Sequence, residues 1–217
     1  MPESRHTGGV SGAPEPRELV AMLERTDAAG VAASNIDVDA IGRAMDPGKL
    51  GKEDLISLLR SLVRLAGAGA EVGLHRIAPK TFARLIADAR TDQVQAIMAE
   101  PGVRAAVLDE VFRRMGDHLR EDRTRDLHAV VHWRLTGGAD DDGYDRYETV
   151  IKGGTCTVGR HRTEDPRVTI TLAPADFLKL VSSNASAPVL FMTGKLKVRG
   201  DLAFAAGLIS LFDLPRP

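Results

Sequence analysis

The sequence predicts an α+β protein in which helices come first and a small, mostly antiparallel sheet follows. Three observations support this prediction: an interrupted helical period from residue 17 to about 119, a change to a period of two after Leu127, and an apolar helix near the end. The 217 residues are 43% hydrophobic and 27% charged, which is the balance of an ordinary soluble globular protein. This length allows one or two domains.

Composition excludes several classes of function. The net charge of -1 argues against nucleic-acid binding, because neutralising phosphates requires an excess of Lys and Arg on one surface. The single cysteine, Cys156, excludes an intramolecular disulfide and a multi-cysteine zinc site. No apolar run reaches the roughly 18–20 residues that span a bilayer, and the first residues lack the apolar region of a signal peptide. We therefore expect a cytoplasmic protein.

The N-terminal half predicts a tail and a helical segment. Residues 1–16 are rich in Gly, Pro and Ser, and we expect them to form a disordered tail. The clearest amphipathic period is Lys52–Ala66, and a later helix is predicted over Val103–Leu119. We place a boundary between residues 100 and 101, which gives a helical N-terminal segment of residues 17–100 and a second domain of residues 101–217.

Alternating residues after this boundary predict strands. Leu127–Leu135 is apolar at its odd positions, while its even positions, among them His132, are expected to face water. Further strands are predicted at Tyr144–Lys152, Thr155–Gly159 and Val168–Leu172, joined by short turns. Sequential strands with short connections predict an antiparallel meander with one buried face and one wet face.

The C-terminal part adds apolar segments to this sheet. Pro174 opens a helix, Pro188–Thr193 is a short apolar segment, and Lys195–Arg199 is one more strand. Asp201 is the predicted N-cap of a last helix, Leu202–Leu211, which is apolar nearly all round. Because a helix without a polar face must be covered on several sides, we expect the sheet, a partner or a ligand to cover it.

The sequence offers no catalytic or metal-binding constellation. His128 and His132 are four residues apart on a strand, which places them roughly 13 Å apart and too far for one ion. The acidic turn Asp140–Asp142 lacks the bidentate glutamate of a calcium loop. There is no G-x-S-x-G elbow and no phosphate-binding glycine loop. We predict no catalytic residue, no metal and no cofactor.

The apolar surface suggests a pocket instead. The segment 188–194 and the last helix must share one face of a small sheet, which leaves apolar surface that a long aliphatic ligand would cover. Each buried methylene group of such a ligand contributes about 0.8 kcal/mol. Any single one of these apolar residues is nevertheless more often part of an ordinary core.

Several motifs support a resemblance to a known family. Phe191–Asp201, followed by Leu202–Phe212, resembles the closing signature of the sterol carrier protein type 2 family: an aromatic residue, a Gly-Lys-Leu strand, a Gly-Asp cap and an apolar helix ending in Leu-Phe. Asp165–Leu172 and Asp176–Leu178 match its D-P-x-V-T-I and D-F-L stretches in the same order. Ile151–Val158 fits its central hairpin.

The resemblance covers about residues 103–212, and the stretch 112–134 is also similar to actinobacterial members with an extra helical N-terminal part. It implies a five-stranded sheet covered on one face by helices, with a hydrophobic tunnel beneath the C-terminal helix. It further implies non-catalytic binding and transfer of an apolar molecule, a sterol, a fatty acid or an acyl-CoA, with transient contact to a membrane or an enzyme. The residues expected to line the ligand site are Val131, Trp133, Phe177, Leu180, Val181, Leu190, Phe191, Met192, Leu208 and Phe212.

Two alternatives remain open. The first is an enzyme or enzyme subunit of secondary metabolism that uses the same pocket for a polyketide-like or steroid-like substrate. Its acid and base groups would come from His75, His128, His132 or Asp176, although strand alternation turns both strand histidines outward. The second is an adaptor that forms a homodimer through the helices at residues 52–66 and 103–119.

Overall fold

A computed structural model describes residues 16–30, 36–138 and 141–214 of the chain. The disordered tail predicted for residues 1–16 lies outside these residues, apart from Pro16, at which the first helix begins. The α-helices are α1 (Pro16–Arg25), α2 (Val38–Ala44), α3 (Lys52–Gly67), α4 (Pro79–Asp88), α5 (Thr91–Ala99), α6 (Pro101–Asp117), α7 (Glu121–Thr124), α8 (Pro174–Val181), α9 (Ala187–Met192) and α10 (Leu202–Gly207). Short 3₁₀ turns lie at Pro47–Lys49, Leu74–Arg76 and Leu208–Leu211.

The five strands form one mixed sheet, in agreement with the predicted α+β class. They are β1 (His128–Thr136), β2 (Tyr144–Lys152), β3 (Thr155–Gly159), β4 (Val168–Leu172) and β5 (Leu196–Gly200). Their order across the sheet is β3-β2-β1-β4-β5. The pairs β1–β2, β2–β3 and β4–β5 are antiparallel, whereas β1 and β4 are parallel.

The predicted antiparallel meander of three or four strands is confirmed for β1, β2 and β3, but β4 is not its fourth strand. After β3 the chain passes back across the sheet and places β4 beside β1, where the backbone N–H of Arg167 donates to the carbonyl of Val130 at 2.9 Å. Alternation along Val168–Leu172 correctly shows which side chains are buried. It says nothing about which strand is the neighbour, because every pairing of this strand buries the same face.

One face of the sheet is covered by helices, and it carries the centre of the core. Trp133 lies opposite Tyr147 on β2 and beside Ile170 on β4, and all three side chains are buried. Helix α6 begins at Pro101, whose fixed φ suits the first helical turn. Its predicted apolar stripe is buried as expected, from Val107 through Met115.

The helices of residues 17–100 share this core. Helix α3 buries one stripe, which includes Leu55, Leu62 and Leu65, and it packs against α1, α5 and α6. Helices α4 and α5 also contact α8, which follows the sheet strand β4. The buried apolar core is therefore continuous across the boundary predicted after residue 100.

The last predicted helix is shorter than the sequence suggested. The α-helical part α10 ends at Gly207, and a 3₁₀ turn continues to Leu211. Glycine is a poor helix former, and the hydroxyl of Ser210 donates to the carbonyl of Gly207 at 2.6 Å. The predicted N-cap is confirmed, because the Asp201 side chain accepts a hydrogen bond from the N–H of Phe204.

The sequence prediction for His132 is wrong. Its even position on β1 does turn it to the outer face of the sheet, but its side chain is only 7% exposed and lies against Glu148, whose side chain is 4% exposed. The backbone N–H groups of Thr163 and Glu164 donate to Glu148, so these two residues lie against the pair and the outer face is not fully wet. Across the described residues, none of the helices has the length and apolar character needed to cross a membrane.

Candidate ligand-binding site

The covered face of the sheet holds an aromatic cluster at its centre. The ring of Phe112 on α6 stacks on Phe177 of α8 at a centroid distance of 4.7 Å and on Tyr147 at 4.0 Å. Trp133 meets Phe112 edge-on at 5.7 Å and lies 5.5 Å from Phe177. The indole N–H of Trp133 donates to the hydroxyl of Thr149 at 3.0 Å, so its polar atom is satisfied inside the core.

Residues 201–214 close one end of this apolar layer. Leu208 and Phe212 insert into the core, while Leu202 is 52% exposed. Backbone hydrogen bonds hold the end of the segment: Arg120 N–H donates to Leu211 O, and Asp213 N–H donates to His118 O, both at 2.8 Å. The C-terminal segment is thus covered on one side and exposed on the other.

The other end of this segment is fixed by an ion pair. The guanidinium of Arg167 donates to the Asp201 carboxylate at 2.8 and 3.0 Å and lies 4.4 Å above the ring of Phe204. The N–H of Phe204, followed by Arg167, lowers the pKa of Asp201 from its ordinary value. Gly200, which directly precedes Asp201, has a φ of +106°, and a Cβ there would lie 2.5 Å from the carbonyl oxygen of Arg167.

Helix α9 presents apolar side chains to solvent. Leu190 is buried, but Val189 is half exposed, and Phe191 and Met192 are 44% and 78% exposed. Isolated exposed apolar side chains are common, but three of them on one six-residue helix form a patch. We name Val189, Phe191 and Met192 the α9 patch.

The ten predicted ligand-site residues fall into two groups. Phe191 and Met192 belong to the α9 patch. The other eight are buried in the core of the covered face, namely Val131, Trp133, Phe177, Leu180, Val181, Leu190, Leu208 and Phe212. Val181 also lines a small cavity of about 40 Å³ between α4, α6 and α8. That the ten residues contact a lipid remains a prediction.

An apolar cavity among the helices of the N-terminal half was not predicted from the sequence. It measures about 100 Å³ and lies among the helices of residues 16–107, with Leu178 of α8 as its one lining residue from the second half of the chain. Its walls include Leu58 and Leu62 of α3 and Phe82 and Ile86 of α4. The predicted amphipathic stripe of α3 indicated a buried face, but an apolar stripe cannot show where packing is incomplete.

The outer face of the sheet carries a polar groove. It is lined by β1, β4, β5 and residues 162–166, and its cationic side chains include Arg134, Lys197 and Arg199. At its floor, the Glu148 carboxylate accepts hydrogen bonds from the N–H of Thr163 and from Nε2 of His132, at 2.9 and 3.0 Å. Burial favours the neutral acid, but these hydrogen bonds outweigh it and lower the pKa of Glu148.

The acid and base groups of the enzyme alternative lie in separate places. His132 lies in the outer-face groove, and His128 pairs with Glu164 at 2.8 Å. His75 lines a different cavity of about 290 Å³ beside α3 and α6, and Asp176 lies 3.6 Å from the ammonium group of Lys195. Cys156, the single thiol, is half-buried, and burial raises its pKa to about 12.

Comparisons with known proteins relate part of this chain to one family. Residues 108–213 match the family described as the SCP-2 sterol transfer family. Hydroxysteroid dehydrogenase-like protein 2 of Bos taurus is 30% identical over 113 residues, which make up 52% of this chain and 26% of that protein. The protein of the same name from Homo sapiens is 28% identical over 119 residues, 55% of this chain and 28% of that protein. The chain therefore spans about a quarter of the length of these curated relatives.

Solved structures match parts of the chain at low sequence identity. Sterol Carrier Protein 2 from Yarrowia lipolytica in its apo form is 23% identical, with a TM-score of 0.39 over 50% of this chain and 88% of that chain. The sec-alkylsulfatase Pisa1 from Pseudomonas sp. is 14% identical, with a TM-score of 0.43 over 82% of this chain and 32% of that chain.

Proposed function

Because residues 108–213 belong to the SCP-2 sterol transfer family, we propose that this chain binds one apolar lipid between its sheet and its C-terminal segment, and transfers it to a membrane or an enzyme. The lipid is a sterol, a fatty acid or an acyl-CoA. The observation that carries the proposal is the unbroken apolar layer under residues 202–212, where Leu208 and Phe212 meet the core on the covered face of the sheet.

The C-terminal segment is suited to open for a ligand. It buries few side chains, and the two backbone hydrogen bonds that hold its end form a single isolated bridge between Leu119 and Phe212. A lipid that replaces the contacts of Leu208 and Phe212 keeps that surface apolar, and each methylene group it buries adds about 0.8 kcal/mol. Such an opening is local and leaves the β-ladders intact.

The α9 patch gives the proposed route an entrance. Its three exposed apolar side chains are followed in the sequence by two exposed lysines. Lys195 lies directly before β5, and Lys197 is on β5. An apolar patch next to cations suits contact with an anionic membrane surface. In this proposal Phe191 and Met192 contact the lipid at the entrance, and the eight buried residues contact it inside.

Lipid extraction tests the proposal directly. We would purify the full chain from a bacterial host, extract it for lipid mass spectrometry, and measure displacement of a fluorescent fatty acid. Leu208→Arg places a charge in the proposed tunnel, whereas Leu202→Arg places the same charge at an exposed position of the preceding helix α10. We expect at least a tenfold loss of lipid uptake in the first variant and normal uptake in the second.

Two outcomes would reject the carrier proposal: absence of both a co-purifying lipid and displacement in the unmodified protein, or equal uptake by the two variants. Leu208→Phe, which changes shape without adding charge, serves as a second variant if Leu208→Arg does not fold. Melting curves of each variant show which of them are folded.

An enzymatic role is the second candidate, because the curated relatives are named hydroxysteroid dehydrogenase-like. Those names apply to proteins about four times as long as the matched part. In this candidate the chain itself, as an enzyme or an enzyme subunit, uses the same apolar pocket for a steroid-like substrate. Conversion of a bound steroid by the purified chain alone would favour the enzyme over the carrier.

The proposal also includes a cytoplasmic location and self-association through α3 and α6. The free thiol of Cys156 fits a reducing compartment. Cell fractionation tests the location, and light scattering tests the self-association. A monomeric mass would exclude the adaptor alternative.

A further inference from the structure

Arg114 on α6 is a buried cation with an unused donor. Its side chain is 8% exposed. Nε donates to the Glu110 carboxylate, and Nη2 donates to the carbonyls of Leu74 and Ile77 at 3.0 and 2.6 Å. Within the described residues, Nη1 has no hydrogen-bond partner and is out of contact with solvent. A buried N–H group without a partner destabilises the folded state, so an acceptor at this point would stabilise the protein.

The same side chain lines the cavity of about 40 Å³ between α4, α6 and α8. Two further polar residues, His118 and Ser182, lie in its wall, and the rest of its lining is apolar. No carboxylate is found among the described residues that line it. The cavity is large enough for a water molecule or a small polar group, and a negatively charged acceptor beside Arg114 would pair with its unused donor.

This cavity adjoins the apolar cavity of about 100 Å³. Phe82 and Ile86 line both of them, so their side chains form the wall between the two. The guanidinium of Arg114 lies 4.3 Å above the ring of Phe82 on the polar side of that wall. A cationic donor is therefore placed directly beside an apolar space, which is the arrangement that binds an amphiphilic anion.

The charges around Arg114 permit this anion. Glu110 is shared between Arg113 and Arg114, and these two guanidiniums lower its pKa although burial opposes them. Arg113 also bonds Asp117 at 2.6 Å. Glu110 accepts at the Nε side of Arg114 and is not part of the 40 Å³ cavity, so the Nη1 side faces no negative charge there.

We propose that Arg114 and these two cavities form a binding site for a medium-chain aliphatic carboxylate. The carboxylate accepts from Nη1 of Arg114, and the alkyl chain passes between Phe82 and Ile86 into the apolar cavity. Apolar cavities of roughly 150 Å³ bind molecules as large as benzene, so the chain end fills a space of about 100 Å³. The site lies apart from the proposed tunnel and is a second function of the helical half.

Titration of the full chain with ¹³C-carboxyl octanoate tests the proposal by calorimetry and NMR. Ala89→Leu fills the apolar cavity, which Ala89 lines, and leaves Arg114 unchanged. We expect at least tenfold weaker octanoate binding in this variant and normal binding in the control Ala203→Leu, which alters an exposed position of α10. The guanidinium also lowers the pKa of the bound carboxyl below that of free octanoate, and octan-1-ol binds at least tenfold more weakly.

Arg114→Met tests the head-group contact, and we expect it to remove the preference for octanoate over octan-1-ol. The Ala89→Leu comparison decides the question if Arg114→Met does not fold. The proposal is overturned if octanoate does not bind at millimolar concentration, or if it binds Ala89→Leu normally. Octanoate binding that is lost in Leu208→Arg and kept in Ala89→Leu overturns it too, and leaves the carrier proposal standing. If Ala89→Leu weakens octanoate binding but the unmodified chain takes up no long-chain lipid, the result supports this site and rejects the carrier proposal.

Discussion

Replacing Glu148 by Gln tests how the outer face of the sheet is held. The buried carboxylate accepts from the backbone N–H groups of Thr163 and Glu164, from the hydroxyl of Thr163 and from Nε2 of His132. A Gln side chain has one oxygen and one NH₂ group. The NH₂ group takes the place of one carboxylate oxygen and faces N–H donors, which then have no acceptor although they are buried.

The expected loss of stability follows from these contacts. A hydrogen bond to a charged group contributes about 1.5–3 kcal/mol. In the Gln variant, all the hydrogen bonds to residue 148 lose their charged acceptor, and at least one of them is lost entirely. We expect the free energy of unfolding to fall by about 3 kcal/mol. For a chain of this length, about 2–4 °C of melting temperature corresponds to each kcal/mol, which gives a decrease of about 6–12 °C.

Urea unfolding at pH 7, followed by the fluorescence of Trp133, measures this loss. Glu164→Gln is the matched control, because Glu164 forms a partly exposed pair with His128. Exposed pairs contribute about 0–1 kcal/mol, so the control should remain close to the unmodified protein. Equal stability of the two variants would refute the role assigned to Glu148.

The pH dependence gives a second check. Hydrogen bonds hold the pKa of Glu148 in the folded protein below its ordinary value of 4.5. The carboxylate therefore contributes its full stability above that value and loses it as the pH falls through the lower, folded-state pKa. The difference between the unmodified protein and Glu148→Gln should narrow below about pH 4.5. A constant difference would contradict this account.

Three further predictions concern other parts of the fold. Gly200→Ala should cost at least about 2 kcal/mol in thermal unfolding, because φ is +106° and a Cβ would meet a backbone oxygen, whereas Gly207→Ala, with open space around it, should be neutral or stabilising. Arg104→Leu should cost about 3–5 kcal/mol in urea unfolding, because it removes the buried partner of Asp145 at 2.6 Å. Adding Asp145→Leu should restore only part of this loss, because the carbonyls of Met98 and Thr136 still lack the hydrogen bonds that Arg104 donates. Cys156 should react with a disulfide reagent at pH 8 at least about a hundredfold more slowly than in the unfolded chain, since burial raises its pKa to about 12, and comparable rates would contradict this.

Local patterns predicted the elements of this fold better than their arrangement. Period-two alternation correctly identified the covered face, as the buried side chains of Trp133 and Ile151 show. It did not place β4 beside β1, because strand order depends on where the connecting chain crosses the sheet. The burial of His132 was missed for a related reason, since Glu148 and the covering loop are 16 or more residues away in sequence.

The candidate sites differ in how far sequence could predict them. Family motifs pointed to the C-terminal segment, where Leu208 and Phe212 are buried. The apolar cavity of the helical half could not be predicted, because it depends on how the small aliphatic side chains of seven helices fail to fill the space between them. Arg114 gave no signal either, since a charged residue on an amphipathic helix is normally assigned to the solvent face.

The family match begins at residue 108, which lies inside helix α6. Its first half contributes Val107 to the apolar cavity, and later turns supply Phe112 to the aromatic cluster and Arg114 to the small cavity. The same helix therefore packs against both halves of the chain. Removing the helices that precede α6 would expose apolar side chains of this helix, so the part that matches the family cannot be separated from the helical part without redesigning α6.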